Sequence, residues 1–232
     1  MYDNIKHACY EANMQLPQLD LVVYTFGNVS AVDRENGVFA IKPSGVPYEQ
    51  LTVKDIVIVD FDAKVVEGKM RPSSDTKTHA FLYKHWETIG GICHTHSTYA
   101  VAWAQALMDI PNFGTTHADH LTADIPCASP MADHLIEGDY EYNTGQQILD
   151  CFAEKNLSPA EVEMILVGSH GPFAWGKDAS KAVYNSKVLE EVAKMAYLTL
   201  QINPQAKRLK DALVKKHYDR KHGSNAYYGQ GC

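Results

Sequence analysis

The stretch Gly90-Gly91-Ile92-Cys93-His94-Thr95-His96-Ser97 decides how the rest of the chain is interpreted. Its apolar residues predict a β-strand, in which residues i and i+2 project from the same face. His94 and His96 would then lie side by side, with their Cα atoms about 6–7 Å apart. That spacing suits two imidazoles that bind one divalent metal. The alternative is that one or both are ordinary polar residues of a strand.

Two other positions provide candidates for the remaining ligands of such a site. His170 follows the apolar run Met164-Ile165-Leu166-Val167, which predicts a buried strand. Asp75 precedes a helical pattern over residues 77–86, where its alternative role is an N-cap. Three histidines and one carboxylate form a tetrahedral zinc set. Imidazole also binds other first-row metals, so the pattern favours zinc without excluding them.

Composition limits the class of protein. The 232 residues are 45% hydrophobic, enough to bury a full core, and predicted strands and helices alternate without a linker or a repeat. We therefore expect one α/β domain. The net charge of −7 argues against a protein that binds nucleic acid or a membrane surface. An anionic ligand would need a local positive site.

Cysteine usage and apolar segments indicate the compartment. The five cysteines are scattered and include no Cys-x-x-Cys pair, which predicts free thiols in a reducing environment. No signal-peptide pattern and no apolar window of about 18 residues is found. We expect a soluble cytoplasmic protein.

Three loops are candidates for anion binding. Lys42-Pro43-Ser44-Gly45 combines a cation, a hydroxyl and a flexible amide, although a solvated turn is the alternative. Ser73 and Ser74 lie around a predicted helix N-terminus, where free N–H groups favour phosphate. Gly27-Asn28 is either a turn or a point where the backbone approaches a ligand closely.

Two polar segments near the C-terminal half are also candidates. Gly114-Thr115-Thr116-His117-Ala118-Asp119-His120 has no clean periodicity, and loops of this type often carry chemistry. Composition alone would leave Asp119 as a surface carboxylate. A last helix is predicted over residues 204–221, where His217 and Arg220 are neighbours at i and i+3. Their alternative role is an interface salt bridge or a helix-dipole contact.

Five blocks come in the order and spacing of the class II aldolase/adducin-head family, which the chain resembles over nearly its whole length. The blocks are Gly27-Asn28-Val29-Ser30, Lys42-Pro43-Ser44-Gly45, Ser73-Ser74-Asp75, His94-Thr95-His96 and Gly168-Ser169-His170-Gly171. The resemblance implies one α/β domain over residues 1–232, built as a three-layer α/β/α sandwich with a central, largely antiparallel sheet. It also implies a C4 homotetramer with active sites between neighbouring subunits. The weak pattern of residues 223–230 separately predicts a loose tail from about residue 223.

The resemblance also implies roles for individual residues. One zinc per subunit would be held by His94, His96 and His170, with Asp75 at or near the fourth position. Asp119 and Tyr228 would be the acid/base groups, reaching across from a neighbouring subunit. Substrate and phosphate would be bound by Gly27, Asn28, Lys42, Ser44, Gly45, Ser73 and Ser74, with supporting contacts from Thr115, Glu141, His217 and Arg220.

Within the family, the segments 115–120, 217–223 and 227–230 are similar to those of epimerases. The activity they imply is metal-dependent epimerisation at C4, which interconverts L-ribulose 5-phosphate and D-xylulose 5-phosphate by retro-aldol cleavage and re-addition. One alternative is an aldolase of the L-fuculose-1-phosphate type, but the aldolases that the chain resembles carry Glu at the position of Asp75. A non-catalytic, adducin-like interaction domain is the other alternative, and it would not need the metal ligands.

Overall fold

A computed structural model describes residues 2–223 and 226–227. The strands in these residues are β1 (Asn28–Asp33), β2 (Val38–Ile41), β3 (Val57–Asp60), β4 (Val65–Glu67), β5 (Gly91–His94), β6 (Cys127–Ala128), β7 (Met164–Val167) and β8 (Gly171–Gly176). The helices are α1 (Asp3–Gln18), α2 (Thr76–His85), α3 (Thr98–Gln105), α4 (Thr115–Ala118), α5 (Asp133–Ile136), α6 (Tyr140–Glu154), α7 (Ala179–Ile202) and α8 (Asp211–His222). Tyr48–Gln50 and Val53–Asp55 form short 3-10 turns.

The strands form one sheet in the order β4-β3-β2-β1-β5-β8-β7-β6. The β6–β7 pair is parallel and the other neighbouring pairs are antiparallel. Most central strands are buried along their whole length, as β2, β5 and β7 are. Continuous apolar runs produce such strands because both faces of the sheet are covered. The expectation of a central, largely antiparallel sheet between helical layers is confirmed.

Side-chain alternation along the strands divides the core between the two faces. Phe39 and Ile41 of β2 face a cluster that includes α2 and α6, whereas Val38 and Ala40 face α1 and the first turns of α7. This is the period of two expected for a sheet that is packed on both sides. α3 packs against α7 and against β7 and β8. Helices therefore cover both faces of the central strands.

Strand register brings several predicted residues to one end of the sheet. Asn28 at the start of β1 is paired with His94 at the end of β5, and His94 is paired with Phe173 of β8. The β7–β8 turn carries His170, which follows Ser169 in the left-handed region at φ 61°. Because β1 begins, β5 ends and β8 begins at the same edge, these side chains meet there.

Two predictions about local structure were wrong. β5 ends at His94, so His96 does not share its strand; the chain leaves the sheet there because α3 begins four residues later, at Thr98. The last helix begins at Asp211 rather than at residue 204, and the preceding segment is tied instead by the Leu209 amide to the Asn112 carbonyl at 2.8 Å.

The cysteines, the helix lengths and the C-terminal tail were also subjects of prediction. The cysteines that the structure describes, Cys9, Cys93, Cys127 and Cys151, are free and buried. No helix within residues 2–223 combines the length and the apolar character that a membrane span requires. The proposed loose tail lies mostly outside the described residues.

Candidate active site

Three imidazoles converge at the end of the sheet where β5 ends and β8 begins. One ring nitrogen from each of His94, His96 and His170 lies within 4.8 Å of the others. The Nε2 atoms of His94 and His96 are 3.1 Å apart, although the two residues do not share a strand. His94 reaches this point from the end of β5, and His170 reaches it from the β7–β8 turn. Residues that are far apart in sequence therefore form one cluster.

Hydrogen bonding and burial determine the form of these imidazoles. Nδ1 of His94 donates to the Pro172 carbonyl at 2.9 Å, so its Nε2 presents a lone pair to the cluster. Burial lowers the pKa of His94 to about 3 and that of His170 to about 3, and it also lowers the pKa of His96. Neutral imidazole is the form that binds metal.

The cluster fits a divalent metal by its donor chemistry and spacing. Tetrahedral zinc with bonds of about 2.0–2.1 Å places ligand nitrogens about 3.3–3.4 Å apart. The 3.1 Å separation between the His94 and His96 nitrogens is close to that value. Outer nitrogens of metal-bound histidines usually have a hydrogen-bond partner. Pro172 provides one for His94, and the Tyr140 hydroxyl lies 3.4 Å from Nδ1 of His170.

Asp75 lies beside this cluster but is not a member of it. It occupies the N-cap position of α2, yet its side chain makes no capping hydrogen bond. Its Oδ2 accepts instead a hydrogen bond of 2.6 Å from Nδ2 of Asn28. The carboxylate is thereby directed toward the start of β1, and its role as a fourth ligand stays a prediction.

A cavity of about 340 Å³ connects the histidines with the predicted anion-binding loops. Its walls include every residue predicted for phosphate: Gly27, Asn28, Lys42, Ser44, Gly45, Ser73 and Ser74. Two backbone hydrogen bonds of 3.0 Å join the loops, from Ser73 N to Lys42 O and from Ser44 N to Arg71 O. The structure therefore places the two loops, which are separate in sequence, on one continuous wall.

Glycine is required at position 27 for two reasons. Its φ of +77° lies in the left-handed region, and a Cβ atom there would lie 2.9 Å from the His94 carbonyl oxygen. The hydroxyl of Tyr48 donates to the Gly27 carbonyl at 3.0 Å and fixes the same peptide. Gly27 therefore marks a close approach of the backbone to the end of β5 rather than a free turn.

Lys42 is the cation of the cavity, and it is held without a carboxylate partner among residues 2–223. Its side chain is buried, Nζ donates to the Val46 carbonyl at 2.8 Å, and the ammonium lies 4.8 Å from the centre of the Tyr48 ring. Burial lowers its pKa to about 8. An anion in the cavity would stabilise the charged form, as expected of a phosphate site.

Asp119 is the centre of a second polar cluster. Arg220 donates to it from Nε at 2.8 Å and from Nη2 at 2.5 Å, and Nδ1 of His217 lies 2.9 Å from its Oδ1. Burial is the largest single effect and opposes ionisation of Asp119, but the hydrogen bonds from Arg220 and His217 and the charges of Lys221 and Arg220 together lower its pKa. Thr115 accepts the Asp119 amide through its carbonyl at 2.8 Å. The side chain of Asp119 is therefore fixed in position by its hydrogen bonds, and they favour its ionised form.

The two clusters are separate within one chain. Glu141 lines the histidine cavity, but Thr115, Asp119, His217 and Arg220 do not. Tyr228, the other predicted acid/base residue, lies outside the described residues.

Some residues of the cavity had not been predicted. Tyr140, Thr25 and Phe26 line its wall, and the Phe26 ring centre lies 6.1 Å from that of His96. Tyr140 is the first residue of α6 and has no sequence signal that separates it from an ordinary aromatic at a helix start. Its neighbour Glu141 was found only through the family resemblance.

Comparison with solved structures defines the fold. The structure aligns with L-fuculose 1-phosphate aldolase at a TM-score of 0.78 and 24% identity, covering 94% of this chain and 95% of that one. It aligns with the L-fuculose 1-phosphate aldolase of Glaciozyma antarctica PI12 at 0.77 and 17% identity, covering 97% and 84%. The architecture is thus that of a class II aldolase.

Comparison of sequences then places the chain in a family. The model of the Class II Aldolase and Adducin N-terminal domain matches residues 7–197. The L-ribulose-5-phosphate 4-epimerases UlaF of Salmonella paratyphi B (strain ATCC BAA-1250 / SPB7) and Salmonella typhi are each 54% identical to it over 226 residues, covering 97% of this chain and 98% of theirs. The chain belongs to the class II aldolase and adducin N-terminal domain family.

Proposed function

We propose that the protein is a metal-dependent L-ribulose-5-phosphate 4-epimerase, an isomerase that interconverts L-ribulose 5-phosphate and D-xylulose 5-phosphate. The observation that carries the proposal is one cavity in which three neutral imidazoles face two loops and a buried lysine suited to phosphate. Identity of 54% to relatives named as 4-epimerases supports this activity over that of an aldolase.

The chemistry explains why such a cavity is needed. The C4 hydrogen of the substrate lies β to the ketone and is not acidic, so direct deprotonation is unfavourable. Cleavage of the C3–C4 bond avoids this step and leaves an enediolate of dihydroxyacetone beside glycolaldehyde phosphate. A divalent metal held by His94, His96 and His170, with Asp75 as the proposed fourth ligand, would supply Lewis-acid stabilisation of the developing negative charge.

The phosphate wall keeps the aldehyde fragment in place while it rotates. Lys42 would pair with the phosphate, and the amides and hydroxyls of the two joined loops would complete its shell. Holding the fragment next to the enediolate makes re-addition an intramolecular step. Rotation of the aldehyde before the C3–C4 bond forms again then inverts C4.

Two proton-transfer groups are needed, one for each face of the aldehyde. Asp119, ionised beside Arg220 and His217, is suited to accept the proton of a C4 hydroxyl. We assign the second role to Tyr228. Because Asp119 does not line the histidine cavity of its own chain, we propose that both groups come from a neighbouring subunit.

The assembly and setting belong to the same proposal. We propose a C4 homotetramer of chains that each form a single domain over residues 1–232. Each chain would hold one zinc, and the enzyme would work on carbohydrate phosphates in the cytoplasm. Zinc is favoured because three imidazole nitrogens and one carboxylate suit its tetrahedral coordination.

The deciding experiment incubates the purified protein with L-ribulose 5-phosphate before chelation, after chelation and after zinc is returned. A coupled enzyme detects D-xylulose 5-phosphate, and aldehyde release is measured in parallel. Metal-dependent conversion without free aldehyde would support the epimerase. Release of dihydroxyacetone as the main outcome would indicate an aldolase. A metal-loaded protein that turns over no sugar phosphate would indicate an interaction domain.

A further inference from the structure

Glu190 of α7 makes an unusual contact with the helix that follows the metal-binding segment. Its carboxylate is nearly buried, with 9% of the residue exposed. Oε1 accepts from the Tyr99 amide and Oε2 from the Ala100 amide, each at 2.9 Å. Both oxygens are thus satisfied by backbone groups in the first turn of α3. A buried carboxylate requires such compensation, and a helix N-terminus favours negative charge.

Glu190 takes the place of a local cap. Ser97 occupies the N-cap position of α3 but makes no capping hydrogen bond through its side chain. The free amides of the first turn are bound instead from a helix about 90 residues away in sequence. A second bond joins the same helices, from Trp103 Nε1 to the Ala193 carbonyl at 2.9 Å. α7 therefore fixes where α3 begins.

This start point matters because His96 lies two residues before it. The neighbouring residues Thr95 and Ser97 are buried, whereas His96 is only partly buried. Among residues 2–223, the hydrogen-bonding contact of the His96 ring is with His94 Nε2. The other two imidazoles have a carbonyl or a hydroxyl near their outer nitrogen, whereas His96 has no such partner among residues 2–223.

We infer that Glu190 is a positioning residue for the metal site, which holds His96 in place through the first turn of α3. The inference rests on the metal site of the proposed function and adds a residue outside the cavity. Metal-bound histidines usually have a hydrogen-bond partner at the outer nitrogen. For His96, we infer that the bonds from the Tyr99 and Ala100 amides to Glu190 take over this positioning role. Its expected signature is a change in metal affinity and geometry.

The test compares Glu190→Gln with Glu191→Gln. The first keeps the shape of the side chain but turns an amide N–H toward one of the two backbone N–H groups. The second changes the adjacent residue, which pairs with Lys187 on the partly exposed side of α7 at 2.7 Å. Zinc dissociation constants are measured by chelator competition, and visible absorption spectra are recorded with saturating cobalt(II). Thermal midpoints of the metal-free proteins report folding.

We expect the zinc dissociation constant of Glu190→Gln to rise about tenfold and its cobalt bands to shift. Glu191→Gln should stay within about twofold of wild type with unchanged bands. Glu190→Asp, which keeps the charge on a shorter side chain, provides a second variant if the first does not fold.

An unchanged zinc dissociation constant, or unchanged cobalt bands, in either folded Glu190 variant would overturn the inference. Wild-type protein that takes up no zinc would instead overturn the proposed function, so the two failures are distinguishable. If the Glu190 variants bind zinc normally, the inference about Glu190 fails, but the assignment of the histidine cluster as the metal site still stands.

Discussion

Asn28 donates a hydrogen bond of 2.6 Å from Nδ2 to Oδ2 of Asp75, and this bond joins the start of β1 to the start of α2. Oδ1 of the same asparagine is buried without a hydrogen-bond partner among the described residues. The amide is therefore satisfied on one side only.

Asp75→Ala should destabilise the protein by about 1–3 kcal/mol, because it leaves the buried Asn28 amide without its acceptor. Asp75→Asn should cost less, since an amide oxygen can still accept the hydrogen bond. Thermal denaturation of the metal-free proteins measures both effects without a contribution from a bound metal. Equal stability of wild type and Asp75→Ala would show that the bond contributes nothing to folding.

Lys42→Met should raise KM for the sugar phosphate by roughly tenfold to a hundredfold, the range expected for a lost charge-assisted hydrogen bond. The turnover number should fall less, because the phosphate lies away from the reacting carbons. Inhibition by inorganic phosphate should weaken in parallel. Lys64→Met, at an exposed lysine on the surface, is the matched control. A KM unchanged by Lys42→Met would remove this lysine from the phosphate site.

The pKa of Lys42 also predicts a pH dependence. Burial lowers that pKa to about 8, so the ammonium is charged below pH 8 and loses its proton above it. Only the charged form attracts phosphate. KM should therefore rise as the pH increases through 8, and Lys42→Met should lack this rise. Steady-state kinetics from pH 7 to 9.5 measure it; a flat wild-type KM would contradict the assignment.

Arg220→Gln should move the acidic limb of the kcat/KM profile to higher pH. The sign follows from the ionisation of Asp119, whose lowered pKa depends on hydrogen bonds from Arg220 and His217 against the opposing effect of burial. Activity needs the ionised carboxylate and is lost as the pH falls through the pKa of Asp119. Gln at position 220 stabilises the carboxylate less than Arg does, so this pKa rises and activity is lost at a higher pH. Arg208→Gln, which removes an exposed pair with Asp124, should leave the limb in place.

Removal of the metal should lower the thermal midpoint. A ligand that binds only the folded state adds about 2.7 kcal/mol at a free concentration one hundred times its dissociation constant. Zinc should therefore raise the midpoint of chelator-treated wild type, and His96→Asn should lose most of that increase. Scanning calorimetry with and without zinc measures both. An equal zinc effect in the two proteins would place the metal elsewhere.

Sequence patterns predicted the strands well where one physical signal dominated. The apolar run 164–167 predicted a buried strand, and it forms β7, which is buried throughout. The start of the last helix was misplaced because its first turns carry no apolar stripe: Val214 is its buried residue, and Leu213 is exposed. Weak amphipathicity left that boundary undetermined.

The site was predictable as a set of residues but not as an arrangement. His94 and His96 were expected to meet through the period of a strand; they meet instead across a strand end, because α3 and the β7–β8 turn bring the rings together. Glu190 could not be predicted, since nothing in its local sequence indicates which amides its carboxylate binds. Contacts between distant segments of this kind depend on tertiary packing.

The separation of Asp119 from the histidine cavity has a genetic consequence under the proposed assembly. A chain lacking His94 and a chain lacking Asp119 are each inactive alone, yet each keeps the half that the other has lost. In a ring of randomly mixed subunits, about a quarter of the interfaces would pair two intact halves. Two defective alleles expressed together would then complement each other, and a single subunit isolated by dilution would be silent.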